Sequence, residues 1–316
     1  MTQEKSQERP LVTFALFAYN QEQYIREAIE GALAQTYEPL EIILSDDCST
    51  DRTFEIMKEM AAHYDGPHEL RVRRNERNYG LIDHVNVVIT EASADIVVLA
   101  AGDDISRPER TTLIAKKFGE QPFCQLVHSS VLEIDQSGRT LGVRFPPVSE
   151  KLDDLQKASI STGIYIGATG AIRKSLNAFF GKINEKDTYE DLIFGFRAAL
   201  LNGIFYIEKP LVTYRKNIGI SSGSNRKFGS RKEKRVAAHS HRIATLRQRR
   251  SDVVKTKNLN LKKVIRVIDS EIKIAECRKI YHENFWYFII CFFEKGFFSQ
   301  IKALSSETKY LLGLIK

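Results

Sequence analysis

The chain has 316 residues, 43% hydrophobic and 28% charged, which allows one large domain or two ordinary ones with real cores. Its four cysteines, Cys48, Cys124, Cys277 and Cys291, show neither CxxC pairing nor metal-ligand spacing, so no disulfide framework or zinc site is indicated and a reducing, cytoplasmic compartment fits. The net charge of +7 hides an asymmetry: residues 1–225 hold 25 Lys and Arg against 32 Asp and Glu, a net of −7, whereas residues 226–316 hold 22 against 8, a net of +14, and call for an anionic partner.

Residues 1–10 are polar, lack the apolar centre of a signal peptide and read as a disordered tail. Leu11 to Phe17 reads as a first strand, ending at Ala18-Tyr19-Asn20. Asn20 is placed to cap a helix whose apolar positions are Tyr24, Ile25, Ala28, Ile29 and Ala32. Leu40 to Ser45 is a second strand and runs into the pair Asp46-Asp47. Ser49 is the expected N-cap of the helix through Met60, which leaves Asp47 without a structural role. A short strand at Leu70–Val72 and a helix to Ala92 follow. Ile96 to Ala101 then forms an apolar run that stops on Gly102-Asp103-Asp104. Such a run is a strand buried on both faces, and strands alternating with helices predict a mostly parallel, doubly wound sheet.

In open α/β sheets ligands bind beyond the carboxyl ends of the strands, where both Asp pairs stand. Adjacent carboxylates at a sheet edge call for a divalent cation between them and a ligand. The alternative is that Ser106 caps the next helix and the aspartates merely face its dipole.

A helix around Arg110–Phe118, a strand at Cys124–Ile134 and a proline-bearing loop at Gly142–Asp154 come next. The three glycines of Thr162–Ile172 mark close backbone approach. Thr188-Tyr-Glu190-Asp191 opens a helix to about Asn202, and Ile204–Tyr206 with Leu211–Tyr214 read as closing strands. Thr188 and Asp191 also have capping-box spacing, so Asp191 is either a base or a cap. Arg226 to Lys257 is dense in Lys and Arg and predicts a largely solvated helix, with His239 and His241 on its surface. Leu261 to Ala275 marks an amphipathic helix. The aromatic run Phe285–Phe293 is far short of the roughly 20 residues that span a bilayer, and is either buried packing or an interfacial anchor beside basic residues.

There is no G-x-G-x-x-G after the first strand, no P-loop and no H-E-x-x-H. Gly219-Ile-Ser221-Ser-Gly223 matches a nucleophile elbow by letter but lacks the strand and helix that an elbow needs. The basic segment lacks the interleaved aromatics of a nucleic-acid platform, so no nucleic acid is expected. Asp pairs at two strand ends, with no phosphate-cradling loop, point to a nucleoside diphosphate neutralised by metal. Asp47 is suited to accept the imide N–H of uracil or thymine.

Ala18-Tyr19-Asn20-Gln-Glu22-x-Tyr24-Ile25, Gln35-Thr36-Tyr37, Asp46-Asp47-Cys-Ser49-Thr50-Asp51-x-Thr53, Asn78-x-Gly80-Leu81 and Ala101-Gly-Asp103-Asp104 stand in the order and spacing of family 2 glycosyltransferases. The resemblance covers residues 11–225 and implies a GT-A fold, a Rossmann-like doubly wound sheet, followed here by a basic helical extension over 226–316. It further implies an inverting, metal-dependent hexosyltransferase-type enzyme that uses a nucleotide-sugar, here a UDP- or dTDP-sugar. The nucleotide-sugar would lie on Phe17, Ala18, Tyr19, Glu22 and Asp47, with Gly102, Asp103 and Asp104 beside it. Mn²⁺ or Mg²⁺ would sit on Asp103, and the acceptor base would be Asp191 of the pair Glu190-Asp191. The chain departs from the family pattern at Ala101, where the first Asp of D-x-D is missing. It departs again at Phe17 for Pro, and at Asn217 and Ile220 for the His and Asn of a later loop. The expected setting is polysaccharide or O-antigen synthesis on a saccharide or lipid-linked saccharide acceptor, with residues 226–316 holding the enzyme to the inner, anionic face of the cytoplasmic membrane. The competing expectation is an inactive nucleotide-sugar-binding module with a basic, partner-binding tail.

Overall fold

A computed structural model describes residues 9–147, 154–218 and 229–284, and every absence stated below refers to these. The chain divides into two compact units, one of residues 1–153, 163–183 and 190–225, the other of 154–162, 184–189 and 226–316. Two short segments within the span that resembles the family are thus grouped with the basic region.

The first unit is a nine-stranded mixed α/β sheet. In chain order its elements are β1 (Val12–Ala18), α1 (Ile25–Leu33), β2 (Leu40–Asp46), α2 (Thr53–Ala62), β3 (Glu69–Arg74), α3 (Leu81–Glu91) and β4 (Ile96–Ala101). There follow β5 (Ile105–Ser106), α4 (Arg110–Glu120), β6 (Leu126–Ile134) and β7 (Thr140–Arg144). The second unit contributes α5 (Leu155–Ile160), after which the first resumes with a 3₁₀ turn at Gly167–Thr169, β8 (Ala171–Arg173), α6 (Lys174–Phe180), α7 (Glu190–Leu200) and β9 (Ile204–Arg215). The strand order is β3-β2-β1-β4-β8-β6-β9-β5, with β7 also on β6. The run β3-β2-β1-β4 is parallel throughout, the crossovers predicted from the spacing. Beyond β4 the sheet continues antiparallel through β8 and β6.

Alternation along the strands explains the two layers. Phe14, Leu16, Ile42, Leu44 and Val98 pack with α1, α2 and α4, whereas Ala15, Ile43, Val97 and Leu99 pack with α3, α6 and α7. Each large apolar side chain so buried contributes about 1.5–3 kcal/mol, which is why these strands read as unbroken apolar runs. The register pairs Ala18 with Asp46 and Phe17 with Ala101, so β2, β1 and β4 end at one level of the sheet.

Several local expectations are corrected. Asn20, at φ 52°, does not cap α1, because its Oδ1 accepts the Thr50 N–H at 2.8 Å and ties the β1 loop to the β2 loop. Ser49 does not cap α2, because the helix begins at Thr53 and the Ser49 hydroxyl is bound to Asp46. Ser106 lies in β5 and accepts from Arg110 at 2.8 Å, so it caps nothing either. Part of the expected loop at 142–154 is β7, paired antiparallel with β6. The two closing strands are one, β9, whose register on β6 shifts around Ser130.

In the second unit α8 (Arg231–Lys255) and α9 (Lys262–Glu283) pair through Arg242–Glu271, Arg247–Glu276 and Arg250–Asp269. The solvated helix expected here is corrected in its second half, where Ile243, Leu246, Gln248, Arg249, Asp252 and Val253 are buried. Arg249 Nη1 donates to the carbonyls of Ser159 and Ser161 at 3.0 and 2.8 Å, closing the C-terminus of α5. His239 and His241 are half-buried rather than on the surface, stacked on His282 and packed against Tyr189 respectively. The aromatic run Phe285–Phe293, Ile220 and the Gly219–Gly223 pattern lie outside the described residues.

Candidate active site

The end of β2 is fully tied. Asp46 accepts the Ser49 N–H at 2.9 Å and the Ser49 hydroxyl, and faces Arg74 at 3.2 Å. Asp47 accepts from Asn75 Nδ2 at 2.6 Å and from the backbone N–H groups of Tyr79 and Gly80 at 2.8 and 2.9 Å. Asp47 therefore does have a structural role, contrary to expectation: it holds the Asn75–Gly80 loop against the strand end. These donors occupy three of the roughly four acceptor positions of a carboxylate, leaving one on Oδ2 for a ligand N–H. Just behind, Arg73 donates to Ser45 Oγ at 2.6 Å, and Ser45 Oγ is hydrogen-bonded to His84 Nε2, also at 2.6 Å. His84 is neutral; burial, with Arg73 adding and Asp47 opposing, lowers its pKa to about 4. Its ring meets Phe17 edge-on at 5.2 Å.

The end of β4 is different. Gly102 donates to the Phe17 carbonyl at 2.8 Å, and a Cβ there would stand 2.9 Å from Ala18 Cβ and 2.5 Å from Gln21 Oε1, so only glycine fits. Asp103 and Asp104 are both buried. Asp104 accepts the Arg215 N–H at 2.9 Å, and Arg215 in turn pairs with Glu27 at 2.6 Å and lies over the Tyr24 ring. Asp103 has only its own backbone N–H, the Gln21 side chain and the charge of Arg215 to offset its burial, and its pKa is raised. That of Asp104 is raised well above the usual carboxylate range by burial and by Asp103. The dipole alternative for these residues is removed, since α4 begins only at Arg110 and β5 intervenes.

Glu190 and Asp191 form the first turn of α7 and abut the 3₁₀ turn. A Cβ on Gly167 would lie 3.2 Å from Glu190 Oε1 and 3.3 Å from Asp191 Oδ2. Burial and the charge of Asp191 push Glu190 up to about 8. The pair therefore resists carrying two charges, and burial favours the protonated form of Glu190. The 3₁₀ turn is fastened to β4: Leu99 N–H donates to Gly170 O at 2.9 Å, and the buried Arg110 bridges the carbonyls of Leu99 and Ala168 at 2.7 and 2.9 Å. The base candidate and the Asp103 strand are therefore joined through one buried guanidinium.

Phe17, Ala18 and Tyr19 close β1 beside these groups, whereas the exposed Glu22 is engaged with the next loop, accepting the Arg52 N–H at 3.0 Å. Sequence reasoning missed Gln21, Arg215 and Tyr165. Arg215 was adjacent to a recognised Tyr214, and Tyr165 lay in the glycine-marked stretch, but no spacing rule singles out either.

A divalent ion fits these residues only in one form. With Ala101 in place of a carboxylate, and no group of three or more His, Cys, Asp or Glu among the described residues able to cage an ion, the protein offers Asp103 with Asp104 behind it. Two buried, mutually repelling carboxylates suit an ion completed by the phosphates of its ligand.

The sequence model of Glycosyl transferase family 2 matches residues 13–180, more than half of the chain. Among similar proteins, the glycosyltransferase EpsE of Bacillus subtilis is 33% identical over 138 residues, covering 44% of this chain and 49% of that one. Chondroitin synthase of Escherichia coli is 31% identical over 147 residues, covering 45% and 21%. The matched part spans about half or less of these relatives. Among solved structures, Staphylococcus aureus TarS 1–349 with UDP-GlcNAc superposes at a TM-score of 0.60 and 20% identity, covering 93% of this chain and 79% of that one. The mannosyltransferase PcManGT of Pyrobaculum calidifontis, with GDP-Man and Mn²⁺, gives 0.55 and 17%, covering 98% and 82%. At such identities the likeness is one of fold, and that fold is GT-A.

Proposed function

The chain belongs to glycosyl transferase family 2, and on that footing we propose that it moves a sugar, with inversion, from a UDP- or dTDP-sugar to an acceptor hydroxyl in surface-polysaccharide synthesis. The observation that carries this reading is the pair Asp103–Asp104, buried and mutually repelling, just beyond β4, which ends level with β2 and its Asp46-Asp47. The open acceptor position of Asp47 suits the imide N–H of uracil or thymine, and the Asp47 N–H donates to the carbonyl of Ala18, between Phe17 and Tyr19, at 2.9 Å. Asp103 would hold a divalent cation, which when bound supplies charge neutralisation for the departing diphosphate.

Asp191 takes the proton of the acceptor hydroxyl, whose oxygen attacks the anomeric carbon from the face opposite the nucleoside diphosphate. The carbon–oxygen bond to the diphosphate breaks, its electrons leave with the nucleotide, and the configuration inverts. Burial and the charge of Asp191 raise Glu190 to about 8, which favours its protonated form and leaves the base role to its neighbour. Support from relatives is that TarS is seen with UDP-GlcNAc and PcManGT with GDP-Man and Mn²⁺.

The test is turnover of a panel of UDP-, dTDP- and GDP-sugars with Mn²⁺, using the wild type and Asp191→Asn. The variant keeps the side-chain shape and should lose about 10²-fold or more in turnover while binding donor and melting as the wild type does. Retained turnover in Asp191→Asn would remove the base assignment, whereas a wild type that binds nucleotide-sugar but turns over no donor would favour the inactive, nucleotide-sugar-binding module.

The acceptor in this reading is a saccharide or lipid-linked saccharide, brought close because residues 226–316, with their net charge of +14, dock on the inner, anionic face of the cytoplasmic membrane. Among the described residues no helix is long and apolar enough to cross a membrane. Three of the basic side chains of α8 are paired with acids of α9, whereas Lys232 and Lys234 of its first turn are exposed and would contribute to docking. Co-sedimentation with anionic but not zwitterionic vesicles, released by salt, is the expected result; equal binding to both counts against it.

A further inference from the structure

One buried polar group beside the Glu190–Asp191 pair has no part in the mechanism above. Tyr165 is 2% exposed, and its hydroxyl oxygen has no hydrogen-bond partner among the described residues. Buried tyrosine hydroxyls ordinarily find a partner, so one without is a site where something is missing. Its ring is held against two glycines. A Cβ on Gly170 would stand 2.7 Å from Tyr165 Cε2 and 3.0 Å from its hydroxyl, and one on Gly195 would stand 3.2 Å from Cδ1. The His128 ring covers it at 5.7 Å, and His128, whose own pKa burial lowers to about 3, is neutral. Behind His128 lies Tyr206, whose hydroxyl is bound to Ser130 at 2.5 Å. The charged groups that bear on the Tyr165 hydroxyl are Asp191 and Glu190 of α7, while Arg110 grips the far side of the 3₁₀ turn through Ala168 O.

These surroundings define what the hydroxyl can do. Burial and the two carboxylates raise its pKa well above the ordinary value, so it keeps its proton and has an O–H to give. The carboxylates of the base pair bear on the hydroxyl and are able to accept that proton, and Tyr165 packs on α7 at Gly195, one turn beyond Asp191.

We propose that Tyr165 is a positioning residue for the acceptor base: its O–H donates to the Asp191 carboxylate when acceptor is bound, fixing which oxygen faces the acceptor hydroxyl. This rests on Asp191 being the base. Tyr165 forms and breaks no covalent bond; the acceptor proton goes to Asp191, and the tyrosine keeps its own. A hydrogen bond to the ionised carboxylate favours that form, so it also keeps Asp191 ionised to lower pH.

The test is Tyr165→Phe in the full-length protein, measured beside Asp191→Asn. Removing a buried, unpartnered hydroxyl should leave the melting temperature unchanged or higher. The expected kinetic result is a loss of about 10-fold in kcat at neutral pH with donor KM unchanged, and an acidic limb of the kcat–pH profile moved up by about one pH unit. If Asp191→Asn is inactive but Tyr165→Phe matches the wild type in kcat and limb, the tyrosine proposal falls and the base assignment stands. If Asp191→Asn stays active, both fall. Should Tyr165→Phe fail to fold, a fluorotyrosine at 165, which keeps the shape and makes a stronger donor, should move the limb down; an unmoved limb overturns the proposal.

Discussion

β2 and β4 lie on either side of β1, run parallel to it, and each ends on two aspartates, yet the two ends are used in opposite ways. At β2 both carboxylates are engaged by the fold, with one acceptor position of Asp47 to spare: Asp46 is bound to Ser49 and Arg74, Asp47 to the loop from Asn75 to Gly80. At β4 only Asp104 has a firm backbone donor, from Arg215, and the charge of Asp103 is left beside another buried carboxylate. The same dipeptide is thus a scaffold at one strand end and a pair of under-compensated buried carboxylates, the proposed ligand site, at the other. What separates them is the number of donors the following loop supplies.

The largest effect should come from the β4 end. Asp103→Asn removes the charge that would hold a cation against the diphosphate, a contribution of several kcal/mol, so transfer should fall by about 10³-fold. Stability should not follow it. Taking away one of two repelling buried carboxylates relieves Asp104, and the melting temperature should stay level or rise. Donor turnover and thermal melting on one preparation check both halves. A variant that melts early and still transfers sugar would make Asp103 a scaffold residue like Asp46 and erase the contrast.

How far this was legible in the sequence differs along the chain. The parallel strands, their helices and the level at which they end follow from apolar runs such as Ile96–Ala101, because strands buried on both faces leave an unmistakable pattern. The antiparallel additions do not, since β8 has three residues and β5 two, too short for any period to register. Asp47, Asp103 and Asp191 stood out as candidates, but not what holds them. Sequence spacing suggested Ser49 as a cap. The actual partners of the aspartates come from residues distant along the chain, as when Arg215 donates to Asp104 and Gly80 to Asp47. Tyr165 was invisible for the same reason. Its position against Glu190 and Asp191 is set by the close packing of Gly167, Gly170 and Gly195, and glycines in a sequence say that something approaches closely without saying what.

The smaller effect should come from the β2 end, and it sharpens the comparison because Asp47 has two roles to separate. Asp47→Ala takes away three hydrogen bonds and strands the backbone N–H groups of Tyr79 and Gly80, so stability should fall by about 3 kcal/mol. Asp47→Asn should lose less, about 1–2 kcal/mol, because its remaining oxygen can still accept from Asn75 and Tyr79 while its amide opposes the Gly80 N–H. Donor affinity would drop in both variants whether or not the carboxylate touches the base, since the loop it holds borders the site. The ratio of affinities for uridine and cytidine diphosphates is free of that ambiguity. Cytosine carries no imide N–H, so a carboxylate that accepts from uracil discriminates between them, and an alanine does not. Chemical denaturation paired with binding of the two nucleotides reads both roles at once: a fall in stability with the ratio collapsing towards one is the expected outcome. A fall in stability with the ratio unchanged would make Asp47 wholly scaffold, and the entire end of β2 would then stand opposite β4 as structure against site.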